Sequence, residues 1–328
     1  MSKVVRIHRQ GGPEELRYED LDVGEPGPGE ARLRIEAIGL NRSEAAFRAG
    51  QYPVTPKLPT LIGYEGVGLV EALGPGVPGF AVGERVCVLP NFRLGEYGIY
   101  GEHAIVPAKS LQSPPPGLST VEAASIWMQF FTALAIIEIA HAAIGDYVII
   151  RAASSSVGLA AIQLANWAGA VPIAATRTGA KASALKQLGA KHVIATDETD
   201  LVAEVQRITG GKGARIIFDP VGGPDIEKLA LAAAEEGIIF IYGGLSGKPT
   251  PYPHWPAALK GLSLRGWVAS SIWNRPERFA RNRELILRGL ASRHLRPVIA
   301  KTFPFSQIVE AHRYLESNQQ IGKIVVTL

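Results

Sequence analysis

Cysteine is almost missing from this 328-residue chain, which carries Cys87 and no other. A lone thiol excludes an intramolecular disulfide and any cysteine-rich metal knuckle, and a reducing cytoplasm is the expected location. Long apolar runs are missing too. The opening MSKVVRIHRQGGPEE has no apolar core, and no stretch of 18 or more uninterrupted apolar residues follows, so no membrane association is expected. There are no runs of one charge: 34 basic and 30 acidic residues are scattered, which favours local anion sites and argues against a nucleic-acid-coating surface. The sequence also lacks a G-x-S-x-G elbow, an H-E-x-x-H pair and any repeat of 20 to 50 residues.

What is present is ordinary globular composition, 47% hydrophobic and 20% charged, in a chain long enough for two domains. The first 120 or so residues are strand-like runs (KVVRIHR, EARLRIEAIGL, GVGLVEALG, ERVCVL, EHAIVP) divided by Gly and Pro, the texture of a small irregular β-barrel. A proline-rich joint around LQSPPPGLS ends that texture. From Thr120 helices and strands alternate, starting with one long helix over TVEAASIWMQFFTALAIIEIA and including a helix over IEKLALAAAEEG. Uniformly apolar strands in such an alternation predict a parallel sheet covered on both faces, with its ligand at the carboxyl ends of the strands. The expected division is an α/β doubly wound unit at 122–267 inserted between 1–121 and 268–328.

The most informative stretch is DYVIIRAASSSVGLAAIQLANWAGA, a buried strand, a turn of small residues and a helix. A pyrophosphate can approach backbone N–H groups at the positive end of such a helix. The usual G-x-G-x-x-G reads Ala153-Ser154-Ser155-Ser156-Val157-Gly158, so only the last glycine remains, and three serine hydroxyls are available as donors to phosphate. The plainer alternative is that Ser154 caps the helix. The next strand ends in Thr176 and Arg177, with Lys181 a turn later and no Asp or Glu between Val171 and Lys186. Cations there suit the 2′-phosphate of NADPH better than the bare ribose of NADH, unless they are simply solvated surface charges. Gly243-Gly244-Leu245-Ser246-Gly247-Lys248 is one residue short of a P-loop and reads as a glycine-rich turn after a strand, where a nicotinamide could lie.

Together with Gly39-Leu40-Asn41-Arg42-Ser43-Glu44, Gly50-Gln51-Tyr52-Pro53, Gly63-Tyr64-Glu65-Gly66-Val67-Gly68, Phe218-Asp219-Pro220-Val221-Gly222-Gly223 and Ile321-Gly322-Lys323-Ile324-Val325-Val326, these features resemble the medium-chain dehydrogenase/reductase superfamily over the whole chain. The resemblance implies a Rossmann-type sheet inserted into a GroES-like irregular β-barrel domain. Where the zinc enzymes of that superfamily carry a cysteine and the histidine of a G-H-E motif, this chain has Asn41 or Arg42 and Tyr64, and Glu65 with His103 cannot supply about three strong zinc ligands. The closer resemblance is to the zinc-free branch of quinone oxidoreductases and 2-enoyl thioester reductases, which implies an NADPH cleft, no metal and a homodimer joined through sheet edges.

The resemblance further implies hydride transfer to a quinone or to the C=C of an α,β-unsaturated carbonyl, enone or enoyl thioester. Tyr52 is the expected donor to the developing oxyanion, Asn41 its orienting partner and Tyr64 a second donor, although each could also be a loop or turn residue. The expected cofactor contacts are Asn41, Thr132, Ser154, Ser155, Ser156, Val157, Gly158, Thr176, Arg177, Lys181, Val221, Gly243, Gly244, Leu245 and Lys323. Two other readings stay open: a zinc-dependent alcohol dehydrogenase with an unusual ligand set, and a non-catalytic NADPH-binding protein that associates with RNA or protein, as in zeta-crystallin.

Overall fold

Along the strand Tyr147–Arg151, Val148, Ile149 and Ile150 point alternately to opposite faces, yet all three are fully buried. The same holds for Ile216, Ile217 and Phe218 in the strand Ala214–Asp219. Such strands need cover on both faces, and each buried Ile or Phe contributes about 1.5–3 kcal/mol relative to exposure. In the computed structural model, which describes residues 1–328, they are the two central strands of a six-stranded parallel sheet. Its order is His192–Ala195, Val171–Thr176, Tyr147–Arg151, Ala214–Asp219, Ala233–Ile241, Ser263–Gly266. Chain order therefore reverses between the third and fourth of these, the doubly wound arrangement whose switch point is a ligand-binding position.

Two compact units divide the chain, one comprising Met1–Met128 with Pro297–Leu328 and the other Gln129–Arg296. The second unit thus interrupts the first. Its limits differ from the expected 122 and 267 for reasons visible in the packing. Residues 122–128 stay with the first unit: the Cys87 thiol donates to Ala123 O, and Met128 N donates to Glu65 Oε1 at 2.9 Å. The helix Pro276–Ala291 stays with the second, where Arg278 forms a bidentate pair with Glu138 (2.6 and 2.7 Å), Asn282 donates to the same carboxylate, and Phe279 stacks on Phe131.

The first unit holds a three-stranded and a seven-stranded sheet around one apolar core that includes Val5, Leu33, Val70, Val106 and Ile324. Its longest strand, Glu30–Gly39, pairs with Gly66–Leu73 along one edge and with His103–Pro107 and Lys323–Thr327 on the other. The C-terminal strand thereby returns beside Gly39 and Asn41. No helix of the chain is long and apolar enough to cross a membrane.

Two local expectations are corrected. The single helix over 120–140 is three pieces, Thr120–Ala123, Trp127–Ala133 and Ala135–Glu138; after the first, the Ser125 hydroxyl takes the Glu122 carbonyl at 2.6 Å and diverts the backbone from the helical ladder. The helix expected over IEKLALAAAEEG stops at Ala232. Ala233 already pairs with Ala214, and Glu236 adopts a left-handed φ of 56°, so the alanine run continues as a strand that tertiary pairing imposes on a helix-favouring sequence.

Candidate functional site

In the second unit the strand Tyr147–Arg151 runs through a turn into the helix Ser156–Trp167. Ser155, not Ser154, is the cap: its Oγ accepts Gly158 N at 3.0 Å. Ser156 N and Val157 N have no acceptor within the chain, which leaves two donors at the positive end of a twelve-residue helix. Gly158 is fixed by space, because a Cβ there would sit 2.7 Å from the Ala152 carbonyl oxygen and from the Ala153 Cα and carbonyl oxygen.

Ser154 is committed elsewhere. Its Oγ accepts Lys181 Nζ at 3.0 Å, tying the turn to the loop that follows the next strand. Burial lowers the Lys181 pKa, and the Arg177 guanidinium pushes it the same way. Two cations that disfavour one another beside a serine turn are poised for a dianion. Thr176 ends the strand with its hydroxyl donated to Thr178 O at 2.7 Å. One acid reaches this region from outside the stretch read in the sequence: Glu198 accepts Gly179 N at 3.0 Å and shapes the turn that carries Lys181.

Further along the same sheet edge, buried Asp219 accepts Val221 N (2.8 Å) and Gly222 N (3.1 Å) and pairs with Arg151. Burial raises its pKa, against Arg151 and those two N–H groups. The glycine-rich turn interlocks with this loop, as Leu245 N donates to Pro220 O and a Cβ on Gly243 would lie 2.6 Å from the same oxygen. Val221, Gly243, Gly244 and Leu245 are thus held together. Thr132 is buried, with its carbonyl accepting Trp267 Nε1 at 2.7 Å.

Asn41, Tyr52, Tyr64 and Lys323 belong to the first unit. Lys323 is a buried cation whose Nζ donates to Asn41 Oδ1 (2.6 Å) and Glu65 Oε2 (2.7 Å). Asn41 Nδ2 donates in turn to Gly39 O and, at 3.4 Å, to Glu65. Both oxygens of Glu65 are therefore engaged, one by Lys323 and one by Met128 N, while His103 pairs with Ser2 and Glu71. The two residues left over for a zinc site do not converge.

The residue that sequence reasoning missed is Glu44. It is fully buried, accepting Asn41 N (2.6 Å) and Tyr100 Oη (2.9 Å) on one oxygen and Tyr64 N (2.8 Å) on the other. Its position three residues after Asn41 signals a capping box for the helix Arg42–Arg48, but not the link to Tyr64. Burial drives its pKa up to about 7, partly offset by its donors and by Lys323. Behind it lies a chain of buried groups. Arg48 Nη1 donates to His312 Nδ1 at 2.9 Å, which places the ring proton on Nε2, facing Tyr100 Oη at 3.1 Å. Burial, reinforced by Arg48, holds His312 down to about 3 and so neutral. Arg48 Nη2 ends the chain on Glu316 at 2.7 Å.

Tyr52 and Tyr64 are brought together. Burial raises both pKa values, and beyond burial the neighbouring Tyr64 hydroxyl eases ionisation of Tyr52 whereas Tyr52 hinders that of Tyr64.

Family comparisons agree with this architecture. Residues 27–116 match the model for the alcohol dehydrogenase GroES-like domain, and residues 156–287 match that for the zinc-binding dehydrogenase. The chain is 33% identical to a 2-haloacrylate reductase of Burkholderia sp. (98% of this chain, 97% of the other) and 30% identical to a quinone oxidoreductase of Pseudomonas aeruginosa (99% of each). The crystal structure of Escherichia coli quinone oxidoreductase complexed with NADPH superposes with a TM-score of 0.90 at 26% identity, covering 99% of this chain and 100% of that one. The chain belongs to the zinc-free, quinone oxidoreductase-like branch of the medium-chain dehydrogenase/reductase superfamily and is an oxidoreductase of that kind.

Proposed function

We propose that the protein is an NADPH-dependent reductase that passes hydride to a quinone or to the C=C of an α,β-unsaturated carbonyl. The observation that carries the cofactor choice is the pairing of Arg177 and Lys181, with Lys181 anchored on Ser154, at the end of the strand that follows the serine turn. A terminal phosphate satisfies both cations, whereas a diol does not. Ser156 N and Val157 N would receive the pyrophosphate, and the interlocked 219–223 and 243–246 loops would border the nicotinamide.

The reduced nicotinamide supplies the hydride when bound. The chain's own residues then have to manage the oxyanion that forms on the acceptor. Tyr52 donates its O–H to that oxygen, and the neighbouring Tyr64, which eases ionisation of Tyr52, lowers the cost of the negative charge Tyr52 takes on as its proton departs. Asn41, Lys323 and Glu44 orient this pair rather than react. We further propose a homodimer joined through the strand Ser263–Gly266, which has a neighbour on one side only; the helix before it exposes Trp255 (69%) and Leu259 (80%).

The test is a screen of NADPH and NADH oxidation against a naphthoquinone, a simple enone, crotonyl-CoA and an aldehyde. The expected result is turnover of at least one of the first three, with NADPH strongly preferred. Preference for NADH, or activity on the aldehyde alone that a chelator removes, would sink the reading.

A further inference from the structure

Four side chains of the first unit, Glu44, Arg48, Tyr100 and His312, are at most 1% exposed and bonded in a row. A guanidinium carries five N–H donors, no acceptor and a permanent charge, so Arg48 alone of the four cannot exchange roles. It directs Nε to Gly11 O (3.1 Å), Nη2 to Glu316 (2.7 Å) and Nη1 to His312 Nδ1 (2.9 Å). Since His312 Nδ1 must accept, Nε2 carries the ring proton and donates to Tyr100 Oη, and the Tyr100 hydroxyl donates to Glu44 Oε2 at 2.9 Å. Every bond in the row therefore points from Arg48 toward the carboxylate.

That one-way order decides where a proton on Glu44 can sit. Burial brings this carboxyl to a pKa of about 7, so it takes up a proton near neutrality. Oε2 already receives Asn41 N at 2.6 Å and the Tyr100 hydroxyl. A proton there has to turn the Tyr100 hydroxyl toward His312 Nε2 and send the ring proton to Nδ1, against Arg48 Nη1. Two N–H groups then face each other at 2.9 Å in a buried site, which is costly. Oε1 receives Tyr64 N alone, at 2.8 Å, and has a free lone pair. The other ionisable groups around the carboxylate, Lys323, Glu65, Tyr52 and the Tyr64 phenol, act on it through charge and form no hydrogen bond with it. Arg42 and Glu316 lie at the far end, beside Arg48.

We propose that Arg48 is a positioning residue for the acceptor site: by letting hydrogen bonds run one way only through His312 and Tyr100, it confines a proton taken up by Glu44 to Oε1, the oxygen that holds Tyr64. The Tyr64 N–H then faces an O–H in place of a negative charge, and the bond that sets Tyr64 beside Tyr52 weakens. A proton on the other oxygen would leave that bond in place. Turnover is accordingly lost as pH falls through the titration of Glu44. This kinetic consequence rests on the reductase reading above; the location of the proton does not.

The experiment titrates protein labelled with nitrogen-15 tyrosine and histidine by NMR between about pH 8 and about pH 5.5, and follows kcat with NADPH and the best acceptor from the screen above over the same range. Arg48→Gln supplies an amide oxygen that can accept His312 Nδ1–H and so permits the reversed order. His312→Gln accepts from Arg48 with its amide oxygen and donates to Tyr100 with its nitrogen, and so preserves the original one. In wild type the Tyr64 amide signal, identified by its loss in Tyr64→Phe, is expected to follow a titration that is absent from Glu44→Gln. His312 is expected to keep its neutral Nε2–H form throughout, and kcat to fall about tenfold toward the acid end. In Arg48→Gln the Tyr64 excursion is expected to shrink about threefold or more and the acid limb of kcat to flatten, whereas His312→Gln keeps both. A Tyr64 amide that does not titrate in wild type, or a His312 ring that changes tautomer or charge over this range, would overturn the proposal, and neither reading depends on whether Arg48→Gln folds. So would an undiminished excursion in Arg48→Gln, or a His312→Gln variant that behaves like Arg48→Gln. A flat kcat profile in an active wild type whose Tyr64 amide titrates would overturn the positioning role. If the NMR results are as expected and no acceptor is reduced, the reductase reading fails and the confinement of the Glu44 proton by Arg48 stands.

Discussion

Glu44 accepts the backbone N–H of Tyr64 at 2.8 Å from a position 20 residues earlier, and with its other oxygen it holds the N–H of Asn41. One buried carboxylate therefore sets the backbone under two residues of the proposed acceptor site. In Glu44→Gln the amide keeps a single acceptor oxygen, and its NH₂ faces N–H donors. Turnover is expected to fall roughly tenfold to a hundredfold, the cost of small misplacements at a reacting centre. Dinucleotide affinity, measured by fluorescence titration, is expected to hold within twofold. A variant with wild-type turnover would remove Glu44 from the positioning of the site.

The same network sets a pH signature on stability. The Glu44 pKa is raised from 4.5 to about 7, so the folded state holds its proton where the unfolded chain has lost it. Its stabilising contribution is complete below 4.5 and is lost as pH rises through 7, on the order of 3 kcal/mol. His312 acts in the opposite sense. Its pKa falls from 6.5 to about 3, so the unfolded chain binds a proton that the fold refuses, and stability is lost as pH drops from 6.5 toward 3. Between pH 4.5 and 6.5 the two slopes oppose each other. In Glu44→Gln, urea midpoints are expected to rise with pH across this window more steeply than in wild type, and in His312→Gln to fall. Parallel profiles for all three proteins would show that neither group titrates as its surroundings require.

Lys323 and Glu65 form a pair with almost no solvent contact, at 2.7 Å. Removing one partner of such a pair leaves a buried charge, at a cost of about 3–5 kcal/mol. Lys323→Met is expected to destabilise the protein by that amount in urea unfolding, and Lys323→Met combined with Glu65→Gln by distinctly less. Additive losses would mean that the two side chains stabilise the fold independently.

For the dinucleotide, Lys181→Ala removes both the bond to Ser154 and one of two cations. Its NADPH dissociation constant is expected to rise about tenfold, equivalent to about 1.4 kcal/mol, against less than threefold for NADH. Arg177→Ala should behave alike. Equal changes for both dinucleotides would discredit a phosphate between these cations.

The parallel sheet was legible because its strands are uniformly apolar and its helices rich in Ala and Leu, a pattern with few alternatives. Strand Ala233–Ile241 was legible only in its second half, since AAAEEG prefers a helix until the neighbour at Ala214 captures it. The limit at Arg296 was hidden because the helix Pro276–Ala291 is mostly polar, and what attaches it is an arginine pairing with Glu138, 140 positions earlier. Spacing could place Asn41, Tyr52 and Tyr64 as candidates. It could not show that Lys323 would lie against Asn41, or that a capping glutamate would reach Tyr64, because those contacts join segments up to 282 residues apart. Likewise the cap fell to Ser155 and not Ser154, a distinction of one residue that only backbone geometry makes.

Gly158, the one glycine left of the dinucleotide fingerprint, offers the sharpest test of the turn. Its φ is not left-handed, so the backbone itself tolerates alanine; space does not, with three backbone atoms at 2.7 Å from the Cβ position. Backbone cannot swing aside as a side chain can, so Gly158→Ala has to push the helix Ser156–Trp167 away from the Ala152-Ala153 turn, at about 1–3 kcal/mol. That motion carries the Ser155 cap with it and reorients Ser156 N and Val157 N. Stability and dinucleotide affinity are therefore expected to drop together, with NADPH and NADH weakened by similar factors because both share the pyrophosphate. This distinguishes the lesion from Lys181→Ala, whose effect is confined to the phosphorylated cofactor. If Gly158→Ala lost stability while binding NADPH as tightly as wild type, the pyrophosphate would have to lie elsewhere than on this helix end.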